Sequence, residues 1–216
     1  ELYVGTDGGI FKAENPQVVS SDYYTDLTTG MGIRQFYKIG VSQTTPVIVT
    51  GGSQDNGTSV FDINGLWNDW LGADGMEGFV DKNNADILYG TSQFGIMYKS
   101  VNGGDSMNNI VQPDGKGGGA NWNWITPFEQ DPQIPNTIYV AFDELYKSTD
   151  GGTTWASTST NFGTPIDHLK IAPSNNNHIY MAVNNTFHAS INGGVNWFQS
   201  PTSFGPNINA IAVHPT

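Results

Sequence analysis

Five stretches of this chain repeat one pattern: ELYVGTDGGIFKA (1–13), PVIVTGGSQDNGTSVFD (46–62), ILYGTSQFGIMYKS (87–100), TIYVAFDELYKS (137–148) and HIYMAVNNTFHAS (178–190). Each is an apolar strand, a short polar turn, and a second strand with an aromatic residue near its end. Taking Tyr3, Ile48, Tyr89, Tyr139 and Tyr180 as equivalent, the successive steps are 45, 41, 50 and 41 residues. A period of roughly 40 to 50 residues, carried by short strands with no helical stripe, is what the four-stranded antiparallel blades of a β-propeller leave in a sequence. A sandwich or a parallel β-helix accounts for the strand count but not for that period.

Each unit also has a strand ahead of the aligned pair, as in FYKIGVS (36–42), MEGFVDK (76–82), WITPFEQDP (124–132), DHLKIAPS (167–174) and INAIAVHPT (208–216). These read as the innermost strands (A), the aligned pair as B and C, and segments such as WASTST after Asp150-Gly151-Gly152 as the outer strand D. The expectation is one all-β propeller domain over 1–216, with B strands near 2–6, 47–51, 87–91, 137–141 and 178–183. The chain opens on a B strand and stops on an A strand. A strand over 208–214 would therefore pair beside the first one if five blades close into a ring; otherwise the five units are a segment of a larger propeller within a longer parent chain.

Composition narrows the function classes. Twenty acidic against eight basic residues give a net charge of -12, so there is no basic stripe to displace counterions from nucleic acid. No apolar run reaches the roughly 18 to 20 residues needed to cross a bilayer. The absence of Cys removes disulfides, thiol nucleophiles and thiolate metal sites. An acidic, Lys-poor, Asn- and Gly-rich surface fits a secreted or cell-surface bacterial protein.

The turn between strands C and D recurs as KSVNGGDSM (99–107), KSTDGGTTW (147–155) and ASINGGVNW (189–197). Glycine supplies the positive φ a tight hairpin needs, and an Asp or Asn side chain can bond to the turn backbone. Asn102, Gly103, Asp150, Gly151, Trp155, Asn192, Gly193 and Trp197 are therefore assigned to folding rather than chemistry. The motif resembles the Asp-box of sialidases, sortilin and related propellers, a resemblance that implies the same structural role.

Strands that alternate up and down place the D-to-A and B-to-C loops on one face, the face propellers usually use for ligands. There the B-to-C turns bring Asp7, Gln54, Asp55, Asn56, Gln93, Phe94, Asp143, Glu144, Asn184 and Asn185, and the D-to-A loops bring Arg34, Gln35, Asp74, Glu77, Trp122, Asp167 and His168. A rim rich in carboxylates and amides, with a few aromatics, suits a sugar or a cation better than a phosphate. Of Trp70, Trp122 and Trp124, Trp122 is expected to be the exposed stacking platform and the other two to be packing.

LTTGMGIRQFYKIGVS, VIVTGGSQDNGT and GADGMEGFVD resemble the Asp-box propellers of secreted, cell-surface proteins of Bacteroidetes-type bacteria, many of them glycosyl hydrolase-like or sortilin-like. Joined head to tail, INAIAVHPT and ELYVGTDGGIFKA are also similar to the opening of xyloglucan-active inverting glycosidases built from two propellers. That resemblance implies a catalytic carboxylate at Asp7. The inverting partner, which should lie roughly 6.5 to 9.5 Å away, comes from the second propeller in those enzymes. Here Asp55 or Asp74 would have to supply it.

A non-catalytic module binding a glycan or a protein is the leading reading, and the hydrolase is the alternative. No cofactor is expected; a calcium ion bridging Asp55 or Asp74 to backbone carbonyls is the one cation the turns could hold. His168, His178, His188 and His214 lack zinc-site spacing, and the Gly-rich DGKGGGAN (114–121) lacks the Lys-Ser/Thr ending of a P-loop.

Overall fold

Alternating apolar and polar residues bounded by Gly, Asn and Pro turns produce short strands, and every strand in the structure pairs antiparallel with its sequence neighbour. The computed structural model describes residues 1–6, 9–31 and 34–215. It holds two units, Glu1–Gln35 and Phe36–Thr216. The first is a three-stranded meander of β1 (Leu2–Thr6), β2 (Gly9–Ala13) and β3 (Thr25–Asp26). Its hairpin register places Val4 opposite Phe11, and Tyr24 stands edge-on to Phe11 at 6.5 Å.

The second unit contains four four-stranded sheets among the described residues. The first of these is β4 (Lys38–Val41), β5 (Val49–Gly52), β6 (Thr58–Phe61) and β7 (Trp67–Leu71). Next come β8 (Gly75–Val80), β9 (Leu88–Ser92), β10 (Met97–Ser100) and β11 (Asn108–Asn109). The third sheet is β12 (Phe128–Gln130), β13 (Ile138–Ala141), β14 (Leu145–Ser148) and β15 (Ala156–Ser157). The last is β16 (His168–Ile171), β17 (Ile179–Val183), β18 (Thr186–Ser190) and β19 (Phe198–Gln199). All four are blades, with β4, β8, β12 and β16 in the inner, A position.

The core lies between blades rather than within them. Ile48, Val60 and Trp70 of the first sheet pack with Val80 and Leu88 of the second. Tyr89 and Met97 then pack with Phe128, Ile138 and Tyr146 of the third, and Tyr139 and Leu145 with Leu169, Ile179 and Met181 of the fourth. Fully burying such side chains contributes about 1.5–3 kcal/mol each, so each blade depends on the next for most of its stability. Between β5 and β8 the approach is backbone to backbone. A Cβ on Gly52 would collide with the Met76 carbonyl oxygen, so no larger residue fits there.

The strand expected over 208–214 is not formed: residues 208–215 belong to no sheet. Apolar alternation inclines a segment to be a strand, but a ladder also needs a neighbouring backbone; here Ile208 N–H donates to the Asn184 carbonyl at 3.0 Å, and no ladder continues from it among the described residues. Asn209, Ala210 and Ile211 run instead along the inner side of β16.

The C-to-D turns of the second, third and fourth blades share one geometry. In the third blade Ser148 Oγ donates to Asp150 Oδ1 at 2.7 Å and accepts from Gly152 N–H at 2.8 Å, while Asp150 Oδ1 accepts from the Thr153 and Thr154 amides, both at 2.9 Å. The Thr154 hydroxyl, which donates to Asp150 Oδ2 at 2.6 Å, together with the Thr154 amide, Ser148 and the Thr153 amide, holds the Asp150 carboxyl well below the ordinary carboxylate range. Asn192 repeats the bonds in the fourth blade and Asn102 in the second, accepting from Asn196 and Ser106 amides at 2.9 and 3.0 Å. Gly103, Gly151 and Gly193 adopt φ of 69°, 70° and 69°, and each donates its N–H to an A-to-B turn carbonyl, of Asp86, Asn136 and Asn177. The two indoles reach the preceding blade: Trp155 Nε1 donates to the Val111 carbonyl at 2.8 Å and Trp197 Nε1 to that of Thr158 at 2.9 Å.

Candidate binding site

On the B-to-C face of the second unit, Tyr37 precedes β4, Gln54 sits in the β5–β6 turn, Phe94 in the β9–β10 turn, and Trp124 in the approach to β12. The four converge. Tyr37 Oη donates to Gln54 Oε1, and Trp124 Nε1 donates to Tyr37 Oη at 3.3 Å. Phe94 meets the Trp124 ring edge-on at 5.1 Å, and Phe94 N–H donates to the Trp124 carbonyl at 3.2 Å. Phe94 holds φ of 60°, a conformation non-glycine residues seldom take, and it aims the ring at Trp124. The group is an aromatic ledge with an amide at its side.

Trp122 is not the exposed indole. It is half-buried, edge-on to Phe142 at 5.2 Å, whereas Trp124 is 37% exposed. The cause is Lys116, which lies 5.8 Å from the Trp122 ring and 4.9 Å from that of Tyr146 and folds the Gly-rich segment down over the β13–β14 turn. Trp70 is buried, with its Nε1 bonded to Thr50 Oγ1 at 3.1 Å.

The other expected rim residues divide in the same way. Lys116 pairs directly with Asp143 and lies 3.6 Å from Glu144, and Asn161 Nδ2 donates to Asp143 Oδ2 at 2.8 Å. Asp143 and Glu144 are thus turned inward to partners within the chain. Asp74 Oδ1 accepts the Asp55 N–H at 2.7 Å, where Asp55 adopts φ of 61°, so the Asp74 carboxylate braces that turn. Asp167 accepts from Asn184 N–H at 2.6 Å. Gln93 is half-buried, with Oε1 sequestered from water and no hydrogen-bond partner among the described residues, while Asn56 and Gln54 are exposed. Arg34 and Gln35 belong to the first unit. Asp7 lies outside the described residues. Among the described residues no group of three or more His, Asp or Glu is arranged to hold a metal ion.

Below the ledge the inner strands converge on a cavity of about 140 Å³ that no single motif announced, lined by Lys38, Glu77, Glu129, His168 and Lys170 with Ile125, Pro127 and Leu169. In the same lining Lys170 pairs with Glu129. Lys38 Nζ and Glu77 Oε2 are 3.9 Å apart, beyond hydrogen-bond reach, and among the described residues neither side-chain charge has a hydrogen-bond partner. Burial pushes the Glu77 carboxyl up, against the opposing pull of Lys38 and Lys170. Burial and Lys38 push the His168 imidazole down, against Asp167.

Several solved structures share this architecture. The xyloglucanase of the GH74 group from Xanthomonas campestris matches with a TM-score of 0.62 at 20% identity, over 82% of this chain and 31% of that one. A GH74 enzyme from Niastella koreensis matches at 0.59 and 19%, over 79% and 30%. The extracellular domain of a hybrid two-component system from B. thetaiotaomicron matches at 0.57 and 13%, over 95% and 28%. These likenesses decide the architecture. The chain is built of β-propeller blades. It spans less than a third of each of those three chains. No family model and no curated protein matches the sequence. No helix among the described residues is long and apolar enough to cross a membrane.

Proposed function

We propose that this chain is a binding module that receives a neutral glycan on the B-to-C face, stacking a sugar ring on Trp124 with Gln54 beside it to bond hydroxyls. The observation that carries this reading is the braced ledge: an exposed indole fixed by Tyr37 and Phe94 presents an apolar face at little further entropic cost. The surplus of carboxylates disfavours phosphate and uronate ligands. A bacterial cell-surface or secreted setting accords with the acidic composition and with the extracellular domain among the similar structures.

The inverting hydrolase reading, with Asp7 and Asp55 or Asp74 as acid and base, draws its support from the likeness to xyloglucanases. The brace that Asp74 gives to the Asp55 turn leaves that carboxylate already committed. Titrating the protein with soluble xyloglucan by calorimetry, alongside a reducing-sugar assay, separates the two. Binding without product release is the expected result; release that disappears in Asp74→Asn would favour hydrolysis.

A further inference from the structure

Two charged groups of the cavity under the ledge, Lys38 and Glu77, have no hydrogen-bond partner among the described residues. Lys170 and Glu129 neutralise each other, and Asp167 is occupied by the Asn184 amide. The Lys38 ammonium and the Glu77 carboxyl lie 3.9 Å apart, with side chains 42% and 16% exposed. Each is unsatisfied by hydrogen bonds within the described chain, and each lies beside the apolar walls of Ile125 and Leu169. Both groups keep hydrogen-bonding capacity free toward the cavity, so the arrangement favours a guest that donates to the carboxyl and accepts from the ammonium.

We infer that this cavity is a chain-end pocket: it takes the terminal sugar of the glycan held on the ledge, and Lys38 and Glu77 read two neighbouring hydroxyls of that residue. This rests on the glycan reading proposed above and names the part of the glycan recognised. Three features favour a diol over other guests. A pair of opposite charges has no net preference for an ion. The cavity of about 140 Å³ is well under the roughly 300–1,000 Å³ of sites that enclose a drug-sized ligand, which admits one ring but not a run of them. The sequence also connects the two sites, since Tyr37 is followed by Lys38, and Trp124 by Ile125. Ledge and cavity are therefore set by consecutive positions on the same two segments, about one residue spacing apart along each backbone.

The test uses the whole chain, with xyloglucan polymer, a xyloglucan heptasaccharide and methyl β-glucoside as probes, on the native protein, Lys38→Met, Glu77→Gln and Trp124→Ala. Two cavity variants are used so that a failure of one to fold leaves the other informative. A chain-end pocket predicts that bound protein per gram of glycan rises as the polymer is cut to heptasaccharide. It also predicts that Lys38→Met and Glu77→Gln each weaken heptasaccharide binding about tenfold or more, the loss of one bond to a charged group. If polymer and heptasaccharide bind but both cavity variants match the native protein, the chain-end inference is overturned while the ledge reading stands. If the glucoside binds in a Lys38- and Glu77-dependent way but polymer does not, the pocket stands and the ledge reading falls. If no sugar binds, both are overturned, as the inference also is if free glycine occupies the cavity and displaces the heptasaccharide.

Discussion

Lys38 and Glu77 sit on adjacent inner strands with their charged ends 3.9 Å apart, close enough to attract and too far to bond. The carboxyl is raised from its ordinary 4.5 because burial outweighs the pull of Lys38 and Lys170. The groups facing it are Lys38 from β4, Glu129 from β12, and Asp167, His168 and Lys170 at and just before β16. A carboxyl raised in the folded state binds its proton more tightly there than when unfolded. Its contribution to stability is thus complete below the ordinary value and is lost as pH rises through the raised one. Glu77→Gln, which mimics the protonated form, is expected to match the native melting temperature near about pH 4 and to exceed it near about pH 8. Melting curves at the two values check this, and a variant less stable at the higher pH would reverse the assignment.

Trp124 and Trp122 should respond in opposite ways to truncation. Trp124→Ala removes an exposed ring, so the melting temperature is expected to hold within a few degrees while affinity for xyloglucan heptasaccharide falls at least about tenfold, as for an interface anchor. Trp122→Ala empties a half-buried site beside Phe142 and uncovers Lys116, and should cost about 1–3 kcal/mol of stability, below the range for a fully buried Trp. Denaturant titration and calorimetry on the two variants give both readouts.

The contrast also shows what could be read from the residues alone. The blades were legible because each B–C hairpin carries its own alternation and turn: Leu88–Ser92 and Met97–Ser100, for instance, pair Tyr89 with Lys99 and Leu88 with Ser100 across a short connection. The Asp150 turn was legible because its bonds are local, running between Ser148 and Thr154. What escaped depends on partners far away in sequence. Trp155 ends on Val111, 44 positions back, and the Tyr37–Trp124 bond spans 87 positions. The Lys38–Glu77 and Glu129–Lys170 pairs arise only when four inner strands face one another, and no spacing within one repeat encodes that. The Asn and Gly residues flanking Trp122 have the composition of an exposed loop, and the Lys116 segment that covers it is itself loop.

The C-to-D turn can be tested through its buried hydroxyl. Ser148 is almost fully buried and serves Asp150 and Gly152 at once. Ser148→Ala leaves the Gly152 N–H without its acceptor and is expected to cost about 1–3 kcal/mol. Trp155→Phe, which keeps the ring and removes the bond to Val111, should cost about 1 kcal/mol. If the turn serves folding alone, denaturant midpoints drop in both variants with glycan affinity unchanged.

Lys116 offers the last test, because it holds the Gly-rich segment over the third blade through charge rather than shape. Burial alone would lower its ammonium, but the bonds to Asp143 and Tyr146 raise it overall. Burial would likewise raise Asp143, yet Lys116 and Asn161 hold it below the ordinary carboxylate range. A carboxyl lowered in the folded state contributes stability above its unfolded value, and that contribution is lost as pH falls through the folded one. Lys116→Met strips Asp143 of its cation while keeping the stem on Trp122 and Tyr146. It should therefore cost about 1.5–3 kcal/mol near neutral pH, the range for a hydrogen bond to a charged group. The difference from the native protein should shrink between about pH 6 and about pH 2, as Asp143 protonates in both. Denaturant midpoints across that interval measure it. A deficit that stays constant with pH would mean that the segment is held by the packing of Trp122 on Phe142, with the ion pair incidental.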